Sequence, residues 1–203
     1  DSDQAIAKLC RESLTTAKVT QVSGWTLVER VGPLEGAGVW SHQYGDSSNS
    51  VVSTDSRVKA PFGVLWFGGP SNDRVLPRHG HGPSPQVAGG RLFIEGADML
   101  RCVDVYNGRV WWERDLPGVG EYYNNTGHHP GAGEIGSNYV SLVDHVYLIH
   151  RNQLIELDAT TGKTTKEFKL EGTEGQVVWG SLAVDGEFLV VTSSPVVLPP
   201  DPP

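Results

Sequence analysis

Three features of the sequence predict an all-β fold with one short helix at its start. The first is internal repetition. Gly90-Arg91-Leu92-Phe93-Ile94, Leu100, Val103-Asp104, Asn107-Gly108 and Glu113 recur 54 positions later as Asp144-His145-Val146-Tyr147-Leu148, Leu154, Leu157-Asp158, Thr161-Gly162 and Glu167. The second is texture: from Trp25 onward, short apolar runs are separated by Gly, Asp, Asn and Pro, the pattern of many short antiparallel strands. The third is composition, with 25 Gly, 13 Pro and only 20% charged residues, which suits a turn-rich β chain rather than a helical bundle. Strands joined by hairpins and repeated at this spacing are the size of a propeller blade. The predicted fold is therefore a partial β-propeller of four-stranded antiparallel blades, about three to four in number, behind a short N-terminal helix.

The elements follow in order. Ala5, Ile6, Leu9, Cys10 and Leu14 fall near helical spacing among Lys and Arg, which predicts an amphipathic helix over about residues 4–16. Residues 1–24 are read as this helical segment and a linker, or as the tail of a preceding domain. Blades occupy 25–194. An early one is expected around Trp40 to Trp66, and full ones at about 85–116 and 139–170. A broken one follows Val177, where Val184 to Val190 repeats Val143 to Ile149. Within each full repeat, turns at Gly89-Gly90 or Asp144-His145 lead into Leu92 to Glu95 or Val146 to His150. The next strands are Leu100 to Val105 or Leu154 to Ala159. Asn-Gly or Thr-Gly then turns the chain into Arg109 to Arg114 or Lys163 to Lys169. Pro117 to Asn138 is an insertion between blades, and the proline-rich 195–203 reads as a linker or truncation end.

The stretches "LRCVDVYNGRVWWE" (100–113) and "LIELDATTGKTTKEF" (154–168) resemble the repeat of pyrroloquinoline-quinone (PQQ) type propellers, L-x-A-L-D-A-x-T-G-x-x-x-W. The second repeat departs from it, with Thr165 and Lys166 where a tryptophan is usual. Upstream, "GVWSHQYGDSSNS" and "LWFGGPSNDRVLPRHGHGPSPQVAGGRLF" are similar to PQQ-like propeller regions of large bacterial proteins, including planctomycete-type proteins in which the region follows a methyltransferase-like domain. The resemblance implies a bacterial protein in a periplasmic or extracellular setting. It also implies a ring of about six to eight blades, of which this chain holds part. PQQ with calcium is the cofactor the family implies, but its pocket uses adjacent cysteines, and Cys10 and Cys102 stand far apart.

Several function classes are excluded or weakened. A net charge of −8 with no basic run opposes nucleic-acid binding. No apolar run is long enough for a membrane span. Gly131-Ala132-Gly133-Glu134-Ile135-Gly136 spells G-x-G-x-x-G, but a β segment (Tyr139 to Val143) follows it instead of the helix a dinucleotide needs. Cys10 and Cys102 are compatible with one disulfide or with two buried thiols.

The candidate site residues lie on loops. Asp46 and Asn49 either line the channel, with Arg78, as cofactor-binding groups, or stabilise a turn. His79 and His81, in Arg78-His79-Gly80-His81, present both imidazoles on one side of an extended segment. With His128 and His129 they form the candidate metal ligands, the alternatives being loop caps that hydrogen-bond at the surface or ligand contacts in the propeller mouth. The tryptophans read as packing between blades. The leading function is a non-catalytic binding or assembly scaffold. Its partner would be a protein, a polysaccharide or the blades that complete the ring. The alternative is a fragment of a quinoprotein-like oxidoreductase.

Overall fold

A computed structural model describes residues 2–14, 16–30, 32–169 and 179–193, with the side chains of 2, 3 and 78 excepted. Val177 and the proline-rich end at 195–203, both used in the reading above, lie outside the described residues. The chain divides into two compact units, 1–35 and 36–203.

In the first unit, helix α1 (Ser2–Ser13) packs on an antiparallel hairpin of β1 (Ala17–Val22) and β2 (Trp25–Arg30). The helix exists as expected, but its buried residue is Ala7, while Ile6, Leu9 and Leu14 are exposed. The smallest side chain allows the helix its closest approach to a neighbour. Trp25 opens the second strand of this hairpin and is itself exposed.

The second unit contains the repeats. β3 (Gln86–Ala88), β4 (Arg91–Gly96), β5 (Met99–Asp104) and β6 (Val110–Asp115) form one four-stranded antiparallel meander. β7 (Tyr139–Ser141), β8 (His145–His150), β9 (Gln153–Asp158) and β10 (Thr164–Phe168) form the next. β11 (Trp179–Asp185) and β12 (Phe188–Ser193) pair as the first two strands of a third. Among the described residues, the partial propeller thus shows two full blades and the opening half of another.

The repeat motif has a local cause. The Asp104 carboxylate accepts the Tyr106 N–H at 2.8 Å, and the Asp104 carbonyl accepts the Gly108 N–H at 2.8 Å. In the next blade, Asp158 takes the Thr160 and Thr161 N–H groups at 3.1 and 2.7 Å and the Thr161 hydroxyl at 2.8 Å. Its carbonyl accepts Gly162 N–H at 2.8 Å. An aspartate that satisfies its own turn this way reverses the chain after the third strand of a blade. The turn closes on a glycine because φ there is +74° at Gly108 and +69° at Gly162.

The same glycines receive the inter-blade tryptophan. Trp112 on β6 lies over Gly162 of the next blade, where an added Cβ would stand 2.7 Å from the ring, and its Nε1–H donates to the Ala159 carbonyl at 3.0 Å. Around it, Phe93, Leu100, Cys102, Tyr139, Val146, Leu148, Ile155 and Leu157 form one core between the two full blades. A second cluster, centred on Val140, Leu154 and Leu182, joins the second blade to the half blade. Both cysteines are free thiols; burial pushes that of Cys102 up to about 12.

The early blade expected around Trp40 to Trp66 does not form: the described residues from 32 to 85 contain isolated bridges but no strand. Side chains there capture the backbone groups that a ladder would need. Asp46 takes the N–H groups of Ser48 and Ser50 at 2.9 and 3.1 Å. Asp55 takes those of Gly38, Arg57 and Val58 at 2.8, 2.7 and 2.8 Å. Local capture of this kind competes directly with sheet formation.

Candidate functional site

β3, β7 and β11 are the first strands of successive blades and neighbour one another, so their free edges lie along the centre of the array. One segment, 40–45, runs across all three. Trp40 and Val87 of β3 exchange two backbone hydrogen bonds of 2.8 Å. The Ser41 carbonyl accepts the N–H of Ser141 on β7 at 3.1 Å. His42 Nε2 accepts the N–H of Val184 on β11 at 3.0 Å. Nearby, the Gln43 amide oxygen accepts Ser84 N–H at 2.9 Å, Tyr44 donates its hydroxyl to the Gly133 carbonyl at 3.2 Å, and Ser47 donates to Asp185 at 3.2 Å.

The buried His42 is the centre of this strap. A backbone N–H can only donate, so Nε2 is the bare nitrogen and Nδ1 carries the proton. Nδ1 then donates to Ser41 Oγ at 2.7 Å, and that hydroxyl donates on to the Gly45 carbonyl at 3.4 Å. Burial lowers the His42 pKa below 6.5, with Asp46 and Asp185 opposing part of the shift. The unfolded chain therefore takes up a proton first, and stability falls as pH drops below about 6.5. His42→Gln, whose side-chain oxygen still accepts the Val184 N–H, is expected to remove that contribution, so that its melting temperature rises relative to the parent's as pH is lowered from 7 to 5. An unchanged slope would show that His42 does not cause it.

Against the strap lies a cavity of ≈350 Å³ with His42, Tyr44, Asn49, Glu134, Ser137 and Thr192 among its lining. A second, of ≈370 Å³, opens where the Pro117–Asn138 insertion meets the β8–β9 turn, with Tyr122, Tyr123, Asn138, Ile149, Arg151 and Trp179 in its wall. Behind Asn138 is Glu95, 3% exposed, whose Oε2 accepts the Asn138 amide at 2.8 Å. Burial pushes Glu95 up to about 8, so it is protonated at neutral pH. Glu95 Oε1 and Asn138 Oδ1 are buried without partners.

The sequence-derived candidates divide. Asn49 reaches the strap cavity with a backbone φ of +54°. Asp46 spends its carboxylate on the turn, and the hydrogen bonds from Ser50 and Ser48 lower its pKa. Arg78 falls in a 3-10 turn (Arg78–Gly80), and its side chain lies outside what is described. The two histidine loops do meet: the His128 ring contacts His79 edge to face at 5.0 Å and His81 at 5.7 Å. His129 turns away, bonded through Nε2 to the Asn125 amide at 2.9 Å and packed on Tyr122 at 4.5 Å. Among the described residues, no group of three or more His, Cys, Asp or Glu side chains is arranged to hold a metal ion. Nor do the residues fit PQQ with calcium: the cysteines are not adjacent, Asp46 is engaged, and Glu95 is sealed in the core.

His42 and Glu95 were not singled out from the sequence. Glu95 did leave a signal, because it shares the period-two face of Phe93, which is fully buried. His42 left none, since its partner stands 142 positions away.

Meander blades joined through a tryptophan on the next blade's turn define a PQQ-like propeller fold. Solved structures agree. The chain is similar to the quinohemoprotein alcohol dehydrogenase of Comamonas testosteroni, at 16% identity and a TM-score of 0.51 over 77% of this chain and 23% of that one. It is also similar to the quinohemoprotein alcohol dehydrogenase ADHIIG of Pseudomonas putida HK5, at 15% and 0.50 over 77% and 23%. A europium-containing methanol dehydrogenase matches at 15% and 0.46 over 77% and 27%. The chain thus spans about a quarter of the length of these proteins. No protein-family model and no curated protein matches its sequence. No helix among the described residues is long and apolar enough to cross a membrane.

Proposed function

We propose that this chain is a non-catalytic PQQ-like propeller module acting as a binding or assembly scaffold within a larger bacterial protein. The observation that carries this reading is the strap: residues 40–45 occupy the inner edges of all three consecutive blades, where a ligand in a propeller's centre would approach them. A channel edge closed by the protein's own backbone suits a rigid platform better than a reaction chamber. The partner proposed is a protein or polysaccharide surface, or the blades that complete a ring, in a periplasmic or extracellular setting.

Titration of the full chain with PQQ and calcium tests the reading. The expected result is no quinone absorbance retained after gel filtration and no rise in melting temperature. One tightly bound quinone per chain, with a matching rise in melting temperature, would overturn the scaffold in favour of a fragment of a quinoprotein-like oxidoreductase.

A further inference from the structure

Three chain segments build the wall of the ≈370 Å³ cavity. Glu121, Tyr122, Tyr123 and Asn138 come from the insertion, Arg151 from the β8–β9 turn and Trp179 from the start of β11. Small-molecule sites of this size combine aromatic walls with a few convergent polar groups. The rings are held at their outer ends. Trp179 Nε1–H donates to the Asn152 carbonyl at 2.8 Å, and the Tyr122 hydroxyl donates to the Pro130 carbonyl at 3.1 Å. Tyr123, 5% exposed, meets Tyr122 edge to face at 5.1 Å. With those donors committed, Trp179 and Tyr122 have ring surface to offer a ligand.

Arg151 supplies the cation. Its φ of +59° is left-handed, a conformation uncommon outside glycine and concentrated at sites that clamp a ligand. Its Nε donates to the Pro117 carbonyl at 3.4 Å, and its Nη groups have no partner among the described residues. Nor has the exposed Glu121 carboxylate. The rest of the wall adds no charge. Asn138 bonds Glu95, which burial keeps protonated at neutral pH, and burial pushes the Tyr123 phenol up as well. One cation and one anion therefore share the wall, and an ion of either sign is attracted by one and repelled by the other. A pair of neighbouring hydroxyls suits both, accepting from the guanidinium and donating to the carboxylate. A face of C–H groups beside those hydroxyls suits the negative faces of indole and phenol rings.

We propose that this cavity binds a hexose unit of a saccharide, its C–H face against Trp179 and Tyr122 and its neighbouring hydroxyls on Arg151 and Glu121. The site gives the scaffold reading a partner class and rests on that reading, but the two fail differently. Retained quinone sinks the scaffold, whereas a chain that takes up neither quinone nor sugar loses only this site.

The full chain is titrated with a panel of disaccharides of glucose, galactose, mannose and N-acetylglucosamine in α and β linkage, beside L-phenylalanine as a zwitterion with an aromatic ring. Saturation-transfer NMR reads which ligand protons touch the protein. At least one disaccharide is expected to bind with a Kd of about 1 mM or tighter, with transfer strongest to its ring C–H protons. Arg151→Gly removes the guanidinium and relieves the left-handed backbone, so the melting temperature is expected not to fall while that disaccharide binds about tenfold more weakly. Glu121→Ala, at an exposed position, is expected to weaken it about fivefold or more. Three results overturn the proposal: no disaccharide bound across the panel, phenylalanine bound more tightly than every disaccharide, or sugar binding unchanged in either variant.

Discussion

Replacing Trp112 by alanine is expected to lower the unfolding free energy by about 3–5 kcal/mol, the cost of deleting a fully packed tryptophan. The size follows from what the ring does. It bridges two blades, it fills the space over Gly162, and its N–H satisfies the buried Ala159 carbonyl at 3.0 Å. Truncation leaves a cavity at the blade junction and strands that carbonyl. Gly162→Ala attacks the same joint from the other side: the turn needs φ of +69°, and the new methyl would meet the indole at 2.7 Å. A loss of roughly 2–4 kcal/mol is expected from strain and overpacking together. Neighbouring Trp111 is 43% exposed, so Trp111→Ala is the control, with an expected loss under about 1 kcal/mol. Urea unfolding of the three variants decides. Equal losses at 111 and 112 would mean that the indole is not the joint between the blades.

Glu95 sets the second large effect, and its sign is opposite to that of an ordinary carboxylate. The folded protein holds the carboxyl protonated up to about pH 8, whereas the unfolded chain releases the proton near 4.5. Stability from this group is therefore complete below pH 4.5 and is lost as pH rises toward 8, at about 1 kcal/mol per pH unit. Glu95→Gln keeps the shape and the acceptor for the Asn138 amide at 2.8 Å but cannot ionise. Its stability is expected to stay level from pH 6.5 to 8 while the parent declines. The His42 effect acts below pH 6.5 and in the other direction, so the comparison is cleanest between pH 6.5 and 8. A parent protein whose melting temperature does not fall over that range would show that Glu95 is ionised or hydrated in the fold.

Much of the blade architecture was legible because it is local. The Asp-x-x-x-Gly turn carries its own hydrogen bonds, and alternation assigns one face of each strand to the core. The matching of Val184–Val190 to Val143–Ile149 correctly located the third hairpin, since a turn of two or three residues fixes its register. The same reasoning failed between Trp40 and Trp66. Asp46 and Asp55 divert the backbone into turns there, and Trp66 at the end of the stretch bonds the Val105 carbonyl of the first full blade. For the site, the sequence reading named Asp46, which closes the turn beside the strap, and Asn49, which lines its cavity, but not His42, which bonds the strap to β11.

The sequence by itself determined the repeat, the turns that separate its strands and the tryptophan that joins blade to blade, because each rests on contacts between near neighbours or on a repeated pair of positions. Tertiary structure alone decided that 40–45 crosses three inner edges, that His42 is neutral with its proton on Nδ1, and that Glu95 is sealed against Asn138. Those outcomes depend on partners between 43 and 142 positions away, whose approach is set by how blades stack and not by any local spacing. A histidine in a polar loop and a glutamate near a strand end look ordinary in sequence. Burial is what gives them their protonation states, and burial is a property of the assembled blades.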